Sequence, residues 1–143
     1  MMRRALCVLL LGFTGWNATL SAYEAGCSAS QLVHIEKTVS ALKDWDGVFS
    51  AYQAHRACNK ENVVEVWTAY SGAVASLLAE DWSQFGKLSD ISRRHPDFRA
   101  FVIKHLGDET IPEDVLAKVR DHAEHQCPTE MEHLCTDLAA ATK

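Results

Sequence analysis

Apolar residues recur every third or fourth position along nearly the whole chain, the period of helices that bury one face. Leu32, Ile35, Val39 and Leu42 lie one turn apart behind Ser28 or Ser30, either of which suits an N-cap. Val48, Phe49, Tyr52 and Ala57 predict a second helix, starting after Asp46 and ending near Cys58-Asn59. The longest segment runs from Asn62 to Trp82, with Val63, Val66, Tyr70, Val74 and Leu77 on one stripe. Its other side carries Ala69, Gly72, Ala73, Ser76 and Ala79, small enough to admit a neighbouring helix, so this element is expected at the centre.

Phe85, Leu88 and Ile91 predict a short helix that stops before Pro96, because the residue ahead of a proline is biased away from helical backbone. Pro96 suits the first turn of the next, with Phe98, Phe101, Val102, His105 and Leu106 inward and Gly107 at its end. Thr110 is expected to cap a further helix, with Pro112 in its first turn and Glu113-Asp114 at its positive N-terminal end. Its apolar face runs through Val115, Val119, Ala123 and Gln126 to Cys127. Pro128 then restarts the chain into a last helix lined by Met131, Leu134, Cys135 and Leu138. No segment keeps the alternation of a half-buried strand. The pattern predicts an all-α, compact, single-domain bundle of about six or seven helices.

The N-terminus changes the picture of where this domain resides. Arg3 and Arg4 precede an apolar run from Ala5 to Phe13, and Thr19, Ser21 and Ala22 are small residues of the kind a signal peptidase accepts. Residues 1–22 read as a secretory signal cut after Ala22, leaving residues 23–143 as a single helical domain. Gly12, Gly15 and Asn17 interrupt the run and speak against a membrane anchor. Glu24 stands where a lipoprotein signal has an aliphatic residue, which speaks against lipidation at Cys27. All 19 acidic residues but only 12 of the 14 basic ones follow the cut, so the mature chain carries a formal −7. Such a balance repels phosphate backbones and anionic membrane surfaces and excludes nucleic acid as a partner.

Export also decides how the cysteines read. Removing Cys7 with the signal leaves Cys27, Cys58, Cys127 and Cys135, an even count that predicts two structural disulfides. Four cysteines allow three connectivities. Cys27–Cys58 with Cys127–Cys135 closes the shortest loops and is the expected pairing, while crossed pairings tying the two halves together stay open.

Candidate chemistry is thin. The nucleophile-elbow, zinc-protease, phosphate-loop and redox C-x-x-C patterns are all missing, and the adjacent pairs Glu80-Asp81, Asp108-Glu109 and Glu113-Asp114 point about 100° apart on a helix. No catalytic residue is therefore assigned and no cofactor is expected. His105 on an apolar stripe reads as a core histidine with one satisfied hydrogen bond. Trp45 and Trp67 read as core as well. The segment from His122 to Cys135 holds His122, His125 and His133 with two cysteines, which suggests zinc. The helical period instead turns both cysteines inward and the histidines mostly outward, so no metal ligand is assigned.

Asp81-Trp82, Pro96-Asp97-Phe98, Phe101-Val102 with His105, Cys127-Pro128 and Leu134-Cys135 together give residues 58–138 a resemblance to small exported all-helical proteins of Gram-negative bacteria with no assigned activity. That resemblance implies a periplasmic protein with structural cysteines, or a secreted one, and transfers no catalytic residue. The expected role is non-enzymatic, a protein-interaction module with an unidentified protein partner. Two alternatives are an immunity-type inhibitor of an envelope-acting toxin and a metal- or small-ligand-binding protein using His122 and His125. Mass spectrometry of protein purified from its host checks the export reading: the expected N-terminus is Tyr23, with no thiol open to alkylation before reduction.

Overall fold

The computed structural model describes residues 27–58 and 63–143; the proposed signal, residues 1–22, lies outside them. Seven α-helices fill the described residues, with no strand: α1 Ala29–Ser40, α2 Trp45–Ala54, α3 Val64–Glu80, α4 Phe85–Arg94, α5 Pro96–Leu106, α6 Glu113–His125 and α7 Glu132–Ala141. Single 3-10 turns at Trp82–Gln84 and Thr129–Met131 lead into α4 and α7. The all-α bundle is the architecture that the apolar period predicts.

Local chemistry sets the helix limits, and several differ from expectation. Ser28 supplies the first N-cap and forms a capping box with Gln31. The second helix starts earlier than Asp46, because the Asp44 carboxylate accepts from the Gly47 amide at 2.7 Å. Asp46 is thereby placed in the first turn and pairs with Lys87 of α4 at 2.9 Å. That helix ends at Ala54, with a turn through Cys58. Thr110 does not cap α6: its amide and hydroxyl both bond back to the Asp108 carboxylate, and extended Pro112 takes the N-cap position. Arg94 ends α4, His95 leaves the helical backbone, and Pro96 opens α5, as the steric rule for the residue before proline requires.

Helix α3 is the hub, packed on α1, α2, α5 and α6. Val66, Tyr70, Val74, Leu77 and Leu78 are all at most 5% exposed, and they meet Ile35 and Val39 of α1 and Val119 of α6 in one core. Each such side chain contributes on the order of 1.5–3 kcal/mol by leaving water. An aromatic series joins α2, α5 and α3: Phe49 meets Phe98 at 5.0 Å, Tyr52 meets Phe101 at 4.7 Å, and Phe101 meets Tyr70 at 5.1 Å. Trp45 is fully buried at the start of α2. Arg99 of α5 fastens α7 through the Asp137 carboxylate and the His133 carbonyl. Arg120 of α6 reaches the carbonyl of Thr142 just beyond α7.

The cysteines pair as Cys27–Cys58 and Cys127–Cys135, with Cα separations of 5.5 and 6.1 Å. No helix of the described residues is long and apolar enough to cross a membrane. The loops closed span 31 and 8 residues. Loop entropy alone makes the bridges worth roughly 3.7 and 2.5 kcal/mol respectively. Urea unfolding of two double Cys→Ser variants checks this ordering, the Cys27/Cys58 pair losing more.

Candidate functional site

His105 is the buried candidate that the sequence singles out, and the structure gives it a partner. Its Nδ1 lies 2.8 Å from the hydroxyl of Ser71 on α3, which also donates to the Trp67 carbonyl at 3.1 Å. Ser71 and His105 are 0% and 1% exposed, and the Trp67 ring stacks on the imidazole at 3.9 Å. Ser71, His105 and the half-buried Asp108 thus come close together, with the serine hydroxyl and the imidazole closed off from solvent. Burial pushes His105 down to about 3, with Asp108 pulling weakly the other way. The imidazole stays neutral and serves the core. Tyr52, Asp97 and Arg56 form a second polar cluster near the surface. The tyrosine donates to the Asp97 carboxylate at 2.9 Å, and that bond holds the carboxyl below its ordinary range.

The histidine-rich corner does not assemble. His122 is half-buried with Nδ1 3.0 Å from the Leu78 carbonyl, and its ring packs 5.1 Å from Trp82. Exposed His125 lies 3.1 Å from the carbonyl and from the carboxylate of Asp121, one turn back on its own helix. His133 is exposed, and both cysteines are consumed in the bridge. Among the described residues no three His, Cys, Asp or Glu side chains stand where they could hold one metal ion. A cavity of about 540 Å³ opens beside the bridge between α6 and α7, and its lining contains no histidine. Gln126, expected on the inner face of α6, is exposed; its carbonyl accepts from the Trp82 indole at 3.2 Å.

The more open feature is a groove that the sequence does not announce. Ala73 and Ala75 of α3 are buried by α1 on one side and by the α6 side on the other. Between these contacts Gly72 and Ser76 stay exposed, so the small-residue face receives helices only at its edges. On the α1 side lies a cavity of about 500 Å³, walled by Glu36, Ser40, Leu42 and Lys43. On the α6 side lies one of about 210 Å³, walled by Ile111, Pro112 and Val115. Thr68, Gly72 and Ser76 line both, so the two are halves of one groove over α3. A side chain built on Gly72 meets nothing within 4 Å.

Val33 and Val64 are the large hydrophobic residues left exposed among the described ones, each 64% exposed. Val64 lines the groove, and Val33 sits one turn before Glu36 on the same face of α1. Helices α1 and α3 run in the same direction: Cys27 and Cys58 tie the chain just ahead of them, and Gln84, just past α3, donates to the Lys43 carbonyl past α1 at 3.0 Å. Both valines therefore lie toward one end of the groove. The sequence signal for this site is Gly72 and Ser76 within the small-residue side of α3, legible as small but not as uncovered. No family model, curated protein or solved structure matches this chain.

The neutral state of His105 gives a pH dependence. Its folded value near 3 lies below the ordinary 6.5, so the unfolded chain binds the extra proton between these limits. This contribution to stability is complete above pH 6.5 and shrinks by roughly 1.4 kcal/mol per pH unit as the pH falls toward 3. Urea unfolding from pH 7 to pH 4 measures it; His105→Asn, whose side-chain amide stands where Nδ1 does beside Ser71, is expected to flatten that slope.

Proposed function

We propose that this chain is an exported, non-enzymatic protein-interaction module that offers the groove between α1, α3 and α6 to a protein partner. The observation that carries this reading is the groove itself: a floor of small residues, walls from two flanking elements, and two exposed valines toward one end. The two exposed valines, rimmed by polar residues, are the apolar part of this surface and the kind of feature that proteins use in binding. The two disulfides are compatible with an oxidising, exported location such as the periplasm, where the predicted signal directs the chain. The sealed Ser71–His105 pair supports a core role for the groups that most resemble catalytic ones. An immunity-type inhibitor is a special case of the same reading, since the formal charge of −7 expected after signal removal favours a basic partner.

Photo-crosslinking in the native host tests the proposal. A crosslinking side chain at Ser76 is expected to give one discrete adduct, while the same group at exposed Arg93 on α4 gives none. If Ser76 yields no adduct, or both positions yield the same products, the interaction reading fails.

A further inference from the structure

Resting on that reading, we infer that the groove takes a single basic amphipathic helix of the partner protein. The floor row Val64, Thr68, Gly72 and Ser76 runs over twelve helical steps of α3, about 18 Å, or some three turns of a docked helix. Among the described residues no strand edge borders the groove for an extended segment to pair with. A helix brings its backbone already satisfied. Small side chains on one partner let two helix axes approach within about 8 Å, and the space over Gly72 is open to a protruding side chain.

Charge selects the kind of helix. Glu36 and Glu65 stand on the α1 side of the groove and make no ion pair among the described residues. Glu80 at the far end is tied to Lys118 at 2.7 Å, and Lys43 is the basic residue in the lining. Asp114 adds negative charge in the first turn of α6, next to the Pro112 wall. A helix with leucine or alanine on one face and lysine or arginine along both flanks meets floor and rim together. A second copy of this chain fits badly: it is acidic, and its exposed large hydrophobic residues among those described lie on the α1–α3 face already assigned to the groove.

Titration of the isotope-labelled chain, residues 23–143 with both bridges formed, against three synthetic 18-residue peptides tests the inference. One is an amphipathic Leu/Ala/Lys helix, one carries Glu in place of every Lys, and one is the Lys peptide scrambled to lose its apolar face. The first is expected to bind saturably, shifting amide signals of Thr68, Gly72, Ser76 and Glu36, and to bind at least tenfold more tightly than the other two. Gly72→Leu places bulk in the groove at an exposed helical position where Gly is a poor residue. It is expected to lose at least tenfold in affinity while melting no lower than the parent. Glu36→Lys with Glu65→Lys is expected to lose a similar factor.

Equal binding of the Lys and Glu peptides, shifts mapped elsewhere, or full affinity in Gly72→Leu each overturn the inference. So does a concentration-dependent dimer that Gly72→Leu abolishes, which assigns the groove to a second copy, or preferential binding to phosphatidylglycerol vesicles over the peptide. A discrete Ser76 adduct in cells together with indifference to peptide charge leaves the interaction module standing and removes only the basic helix.

Discussion

Burial around most of the circumference of α3 is the constraint on which the rest of the structure depends. Tyr70, Val74, Leu77 and Leu78 face one way, while Ala73 and Ala75 lie on opposite shoulders of the same helix, and all six are buried. No single neighbour covers that arc, so α1, α2, α5 and α6 are all recruited to it. The remaining helices are placed by what those four need. Helix α7 closes over α5 and α6, and α4 supports α2 and α5. A truncation such as Leu78→Ala would therefore disturb several interfaces at once, with a cost on the order of 2–5 kcal/mol.

The same constraint explains the groove. Four neighbours around one helix leave a gap where two of them diverge, and residues of the smallest size occupy α3 there. Tight packing normally excludes such a gap, because apolar surface left wet forfeits its transfer free energy. Here the gap is floored by Gly72 and Ser76, which have little apolar surface to lose. The open floor is thus inexpensive to maintain in the free protein. The exposed valines at its end are the costly part.

Most of the fold was legible in the period of the apolar residues, because each helix buries one face and the turns carry Pro96, Gly107 and Pro128. Helix starts were less legible. Asp44 and Asp46 are chemically equivalent caps, and only the geometry of the Gly47 amide chooses between them. The local disulfides were readable as the shortest closures, though sequence left crossed pairings open. The small-residue face of α3 was misjudged in part, since composition shows that a neighbour can approach closely but not whether one does. Ser71 went unnoticed as the partner of His105 because a lone serine in a helix carries no signal until α5 crosses α3. Uncovered surface is a property of the assembled fold, and no stretch of residues states it.

The Cys27–Cys58 bridge, described above as a closure of the chain, also determines how the groove responds to a visitor. Helix α1 is one of its walls, and moving it away from α3 would open the groove. With the bridge formed at the start of α1, that motion is anchored at its outer end. A wall restrained in this way forfeits less of any ligand affinity to open conformers, because apparent affinity scales with the competent fraction of the population. Oxidation of two cysteines remote from the floor thereby bears on the shape of the groove.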